Sequence, residues 1–513
     1  MTRHAKASPP YTTRRTWFGD EKIQQSQPLR WYQPETLDEI VDIVRCAEEA
    51  GCHVKAVGTG QSYSDITATH DFLVDMRSVR HVGPVAPDRL RCPERAEAFV
   101  EVGAGALVRD LNAHLERVGR ALLTMASYDG MTFVGTALTG SHGSGPRIGA
   151  VASQIRSVLL VTGGGRVLRV EPTDGITARC EPGVTLVQDD RLFDAVAVSI
   201  GTLGVVHSVV VETVPAYLLH EVRTLERWSD LRARLEDGSL LAQHHWVEIW
   251  VNPHVVDGDR SVLLTVRDIV DRPPPGTRGR RPWLPSVVAT LPLVSGLALW
   301  MLHHFPSRSA WVVEQALRAL VDDRFVGPPG KVLIDALAPS GFANELHFPL
   351  RDGIWLRAVD RYFELAEKYL SLGDRYMNLL AIRFVAPTQH YLSMNHGEAT
   401  VSVELPTLTE WFGSRDLFDD VQRNMIELGG RPHWALEFGT LTDAGGLVRS
   451  MYPKFDAFVA VRNELDPNGT FASSFTVRTG MTPVRFGRPP APEPRLEPVR
   501  ETCDSTGTAQ PHR

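Results

Sequence analysis

Cysteine is scarce. Five residues (Cys46, Cys52, Cys92, Cys180 and Cys503) are scattered over 513 positions, odd in number and without a C-x-x-C pair. That pattern excludes a disulfide framework and argues against any metal site of zinc type; a reducing, cytoplasmic setting fits best. A surplus of positive charge is also missing. The 54 Lys and Arg are outnumbered by 61 Asp and Glu, a formal net charge of −7, so no electrostatic footprint for nucleic acid is present. Long apolar runs are almost absent. The exception is 282–302, which carries no charged residue over 21 positions and approaches the length of a membrane span. Pro285, Pro292 and Gly296 interrupt it, so a buried or substrate-covering helical segment is expected. Arg278, Arg280 and Arg281 just upstream keep open a peripheral contact with a membrane surface. The paired Arg14 and Arg15 are followed by no apolar h-region, so a twin-arginine signal is not expected there.

What is present is a globular composition, 43% hydrophobic and 22% charged, on a chain long enough for two or three domains. Residues 1–24 read as a flexible arm. Thr36-x-x-Glu39 is a capping box, and Leu37, Ile40, Val41, Val44 and Ala47 recur at helical spacing up to Gly51. Strands are predicted over 53–57, 72–74 and 98–102, with a helix through Leu107, Leu111 and Leu115 closed by Gly119. Val158–Val161 and Arg166–Val170 flank Thr162-Gly163-Gly164-Gly165 as a hairpin.

Three stretches rich in glycine and hydroxyl residues punctuate these elements. The first is Val57-Gly58-Thr59-Gly60-Gln61-Ser62-Tyr63-Ser64-Asp65. The second runs from Asp129 through Thr132, Gly135, Thr139, Gly140, His142, Gly143 and Ser144 to Gly145. The third is 197–206, with Gly201, Gly204 and Val206, and it passes into a β-branched strand ending near Val214. Glycines let the backbone turn successive N–H groups towards an anion, so each stretch suits close approach to a phosphate-bearing ligand. Beyond 340, strand alternation sets Glu345 and His347 on one face and Leu346 and Phe348 on the other. It likewise groups Arg383 with Ala381, and Glu404 with Ser402.

The three loops, in this order, resemble the FAD-binding domain of the vanillyl-alcohol-oxidase superfamily, and most of all its alditol and aldonolactone oxidases. Arg431-Pro432-His433-Trp434 is similar to that family's RPHW motif, and Leu465-Asp466-Pro467-Asn468-Gly469-Thr470-Phe471 to its LDPxGxF. The resemblance implies an α+β fold: a two-subdomain, PCMH-type FAD-binding domain at 25–215 and a substrate (cap) domain with a large antiparallel sheet at 216–445. A segment at 446–485 would close on the FAD site, with a disordered tail at 486–513. It implies FAD, a small-molecule substrate, and dioxygen or a carrier as electron acceptor. The glycines and hydroxyls of the three loops, with Gln61, Tyr63, Asp65, His142 and Trp434, are then expected against FAD.

Arg383 is the candidate positive charge beside flavin and substrate. Glu345, His347, His390, Glu404 and His433 are candidates for proton transfer or substrate contact. Three positions depart from the family pattern. The histidine that bonds the flavin covalently is replaced by Gln61, whose amide nitrogen is a poor nucleophile, so non-covalent FAD is expected. Ala381 replaces a carboxylate, and Leu436 a lysine. These two changes predict a more apolar substrate site. The expected activity is FAD-dependent removal of a hydride, at a hydroxyl carbon. The alternatives are a desaturating, cyclising or rearranging flavoenzyme and a non-catalytic flavin-binding protein.

Overall fold

The computed structural model describes residues 9–19, 24–278, 304–305, 308–321, 324–334, 342–372, 377–407, 414–439 and 441–482. The apolar stretch 282–302 and the tail after 482 lie outside them. Among the described residues no helix is long and apolar enough to cross a membrane.

The helix Leu37–Ala50 carries both halves of the predicted capping box. Thr36 accepts from the Glu39 N–H, Glu39 reaches back to the Thr36 N–H, and Gly51 ends the helix at φ +64°. Its buried face (Ile40, Val41, Ile43, Val44 and Ala47) enters a core shared by two sheets. One sheet has four strands, among them the parallel pair Val54–Val57 and Phe72–Asp75. The other has six, built around the antiparallel strands Ile155–Thr162 and Val205–Glu212. Both strands are buried at nearly every position because both faces are covered.

Within the N-terminal arm, the described residues 9–19 and 24 are held against the first domain. Tyr11–Thr12 pairs with the strand Arg30–Tyr32, and Trp17–Phe18 pairs with Gln25–Ser26. Arg15 stacks on Trp31 at 3.9 Å, and Trp17 is buried against Trp31, Val57 and Leu73. Two tryptophans bury enough apolar surface to hold an otherwise polar segment in place.

The second half builds an eight-stranded sheet. Its centre runs Leu218–Arg227, Ser261–Val270, Trp246–Val251, Leu380–Val385, Thr400–Thr407, Phe342–Pro349, in that spatial order and all antiparallel. One face packs on the helices Ile354–Leu372 and Ser414–Glu427, through Val247, Ile249, Leu346, Phe348, Ile382, Phe384, Val401 and Val403. The period of two then forces their neighbours Glu248, Arg383, Ser402, Glu404, Glu345 and His347 onto the opposite face, towards the first domain. The chain's end returns to that domain. Val54 donates to Thr470 O at 2.7 Å, and Arg478 ion-pairs with Asp65.

Candidate active site

Two contiguous clefts of about 610 and 490 Å³ lie among the three glycine-rich loops. Both are walled by Val57, Gly58, Thr132, Gly135 and Thr139. The larger continues to Gly201, Gly204 and Val206, and the other to Thr59, Gly60, Gln61, Ser62, Ser141 and Ala435. The glycines are required by close approach. A Cβ on Gly58 would stand 2.3 Å from Thr132 Oγ1, and one on Gly135 2.6 Å from the same atom. Ile200, a β-branched residue at φ 55°, lines the larger cleft. Such strain concentrates where a backbone is held for a ligand. Two adjoining clefts lined by apolar side chains, glycines and threonine hydroxyls fit a dinucleotide such as FAD, its rings on the apolar walls and its phosphates at the glycines. The same clefts take in Lys55, Ile66, Thr67 and Met76, which sequence motifs did not flag.

The other predicted FAD contacts take different places. The Trp434 ring is fully buried, stacked on Tyr452 at 4.9 Å between ring centres and edge-on to Phe475, and its Nε1 donates to Leu392 O at 2.7 Å. It is core. Only its carbonyl meets a cofactor loop, accepting from Ser64 Oγ at 2.8 Å. Trp434→Phe should therefore cost about 1–3 kcal/mol by orphaning the Leu392 carbonyl. Urea unfolding should register that loss while FAD affinity stays unchanged; a fall in affinity would return the indole to the cofactor. Tyr63 packs into the core of the substrate sheet, and Asp65 is bound to Arg478.

His142 to Gly145 form the joint between the domains. Gly145 N–H donates to Phe384 O at 2.6 Å, Ser144 Oγ donates to Val247 O, and Ser144 Oγ accepts from Phe384 N–H at 3.3 Å. His142 was expected at FAD. Instead its Nδ1 meets Gly143 O at 2.7 Å and its Nε2 meets Glu345 at 2.8 Å. Both partners are acceptors, so the ring is clamped between the Gly143 carbonyl of its own loop and the Glu345 carboxylate of the substrate sheet. The reason is long-range: the partner is 203 residues away, and no local signal names it.

Around this pair stand two further histidines. The His347 ring lies 4.8 Å from that of His142, and the His433 ring 5.9 Å from it. Burial pushes His347 down to about 4 and His433 to about 3, so both are neutral near pH 7. Burial also works to raise the Glu345 carboxyl. His142, aided by His347 and His433, overrides it and holds Glu345 well below the usual carboxylate range. His433 Nδ1 accepts from Ala435 N–H at 3.2 Å, so its proton sits on Nε2. Ligand-type atoms of His142, Glu345 and His433 lie within 4.8 Å of one another.

Beside the histidines runs a ladder of alternating charge. Arg267 bonds Glu221 at 2.7 Å and Glu248 at 3.0 Å; Arg383 bonds Glu248 at 3.1 Å and also Glu404. Burial alone would raise Glu248, but Arg383 and Arg267 hold it at about 2. The Arg383 guanidinium loses to burial but gains more from Glu404 and Glu248, so its pKa is raised. Glu404 ends the ladder and faces Glu345 in register across the neighbouring strand pair. Burial, with the like charge of Glu345, raises its carboxyl despite Arg383. The predicted gathering of Arg383, Glu345, His347, Glu404 and His433 on one patch is thus found. His390 is not in it. Its Nδ1 meets Asp194 at 3.2 Å on the FAD-domain side, and its ring lies against Phe193.

This face also corrects the expectation of a more apolar site. Ala381 lies in register opposite Glu404, so a carboxylate stands one strand over from the position that lost one. Leu436 is partly buried and packs against the substrate-domain core.

Comparison with known proteins matches these two halves. Residues 28–171 fit the FAD binding domain model, and residues 209–479, more than half of the chain, fit D-arabinono-1,4-lactone oxidase. L-gulono-1,4-lactone dehydrogenase of Mycobacterium tuberculosis is 26% identical over 90% of this chain and 97% of its own length. D-arabinono-1,4-lactone oxidase of Eremothecium gossypii is 25% identical over 92% and 96%. Among solved structures, cholesterol oxidase from B. sterolicum superposes with a TM-score of 0.71 at 13% identity, over 92% of this chain and 97% of that one. A solvent-stable cholesterol oxidase gives 0.72 at 16% identity, over 93% and 99%. At that identity these two speak for the PCMH-type fold alone. With its FAD cleft, its charged sheet face and both family models in place, the chain belongs to the D-arabinono-1,4-lactone oxidase family and is an FAD-dependent oxidoreductase acting on CH–OH donors.

Proposed function

We propose that the substrate is an aldono-1,4-lactone or a close polyhydroxylated analogue, bound between the flavin ring and the charged sheet face. The observation that carries this is the Arg383–Glu404 pair. It stands on the face to which the second cofactor loop is bolted by Ser144 and Gly145. FAD, when bound, supplies the hydride acceptor. The chain supplies the rest. Glu404, whose carboxyl burial and Glu345 raise above the ordinary carboxylate value, accepts the hydroxyl proton, as suits a general base. Arg383 offers a fixed cation to the oxygen that the proton leaves and to the negative charge gathering on the cofactor side. His142 and Glu345 hold the loop against the sheet, so that the two groups keep their distance from the cleft. A charged, hydrogen-bonding face favours a substrate with several hydroxyls and penalises one that leaves those groups unpaired.

The test is anaerobic bleaching of the protein's flavin. D-arabinono-1,4-lactone or L-gulono-1,4-lactone should bleach it, and simple apolar alcohols should not. Bleaching by apolar alcohols but by no lactone would overturn the substrate class.

The cofactor in this reading is held non-covalently. Gln61 lines the cleft with its Oε1 3.4 Å from Thr59 Oγ1, an amide where a nucleophile would be needed. Acid precipitation should release all yellow colour into the supernatant. Colour retained in the pellet would show a covalent bond and sink this part.

A further inference from the structure

The inner wall of the larger cleft holds a buried cation that none of the loop motifs explains. Lys55 lies in the strand Val54–Val57, just before the first loop, and is 1% exposed. Its ammonium has three protons to place. It donates to Gly201 O at 3.4 Å, a long bond, and no carboxylate of the described residues lies within ion-pair distance. The two acidic groups that feel its charge face it from the turn Asp65–Thr67 and from the loop after the helix Phe455–Leu465. Both are committed elsewhere. Asp65 is held by Arg478, and the Asp466 carboxylate accepts from the N–H groups of Thr470 at 2.8 Å and Phe471 at 3.0 Å. An unpaired ammonium in a protein interior costs several kcal/mol, so a fold that keeps one implies a partner from outside the chain.

The geometry also says which part of the cofactor that partner is. The smaller cleft ends at Gln61, Ser141 and Ala435, next to His433 and the charged sheet, so the reacting ring belongs there. The larger cleft leads the other way, to Gly201 and Gly204, and of the two it alone is lined by Lys55. We propose that Lys55 binds the ADP half of FAD, its ammonium donating to the anionic pyrophosphate–adenosine portion. This rests on FAD occupying the clefts and is independent of the substrate.

Burial pushes Lys55 down to about 8, Asp65 and Asp466 opposing. A bound anion favours the charged form. FAD affinity is therefore highest below that value and falls as pH rises through it.

The experiment measures FAD release on dilution of the holoenzyme, and displacement of FAD by ADP, for wild type, Lys55→Met and Lys55→Arg. Lys55→Met should weaken FAD and ADP by about 10- to 100-fold, the worth of a charge-assisted hydrogen bond. Lys55→Arg should keep most of the affinity. The flavin-free melting temperature of Lys55→Met should equal or exceed that of wild type, because an unpaired buried charge has gone. That opposite sign separates cofactor binding from a structural role. In wild type, release should rise between about pH 7 and about pH 9.5, bracketing the lysine's value, and this slope should vanish in Lys55→Met. Unchanged affinity in Lys55→Met overturns the proposal. Should that variant fail to fold, a flat wild-type pH profile overturns it equally.

Discussion

Arg383→Met should leave a protein that is less stable by about 3–5 kcal/mol and that turns over at least about a thousandfold more slowly. The guanidinium is the only cation of the described residues that bonds both Glu248 and Glu404, with Glu345 opposite. Its removal leaves a group of buried carboxylates facing one another, and breaking a buried pair by deleting one partner is far costlier than never having built it. The sign of the pH dependence follows. Glu248, held at about 2, contributes stability that is present above its unfolded value and lost only as pH falls towards 2. Without Arg383 the carboxylates are raised instead, and acid relieves their repulsion. The gap in melting temperature between wild type and variant should therefore be widest where the carboxylates are all ionised and should narrow as pH falls into the carboxylate range. A gap that stays constant would mean the ladder is not carrying charge. Arg383→Lys should recover stability before activity, because one ammonium cannot span two carboxylates as the guanidinium fork does.

How much of this was legible beforehand depends on the range of each interaction. The capping box at Thr36 and Glu39 is local, and it was readable. Strand alternation is also local. It placed Glu345 with His347, and Arg383 with Ala381, on the correct face of the sheet. Glycine clustering located the cleft, because Gly58 and Gly135 answer to a constraint that only a missing Cβ satisfies. What failed was partner assignment. His142 belongs to a glycine-rich loop by sequence but to Glu345 by contact, and Trp434 sits in a family motif yet fills a core made from Tyr452 and Phe475. Ala381 looked like a lost polar group because its compensation, Glu404, lies on another strand and is revealed only by register. Lys55 was passed over for a similar reason. A lysine in a short strand reads as solvent-facing until the walls on both sides are known.

That register gives the sharpest test of the proposed chemistry. Glu404→Gln should lower kcat by about 10²- to 10⁴-fold, the usual worth of a general base, with the lactone KM moving much less. The amide keeps the shape and the hydrogen bond to Arg383 but cannot take a proton. Wild-type activity should rise with pH through the raised Glu404 value, since only the ionised carboxylate accepts the proton. The variant should lack that rising limb. If the limb persists, the base lies elsewhere, and neutral His433 becomes the group to change. The decisive variant adds a second substitution. Ala381 and Glu404 are directly opposed on antiparallel strands and point to the same face, so their Cβ atoms stand about 4.5–5.5 Å apart. Glu404→Gln combined with Ala381→Glu returns a carboxylate to nearly the same place from the neighbouring strand, still within reach of Arg383. It should restore at least about a tenth of the lost rate and bring back the pH limb. A purely structural Glu404 would predict the reverse, because a new carboxyl at the snugly buried Ala381 adds volume and charge without repairing anything.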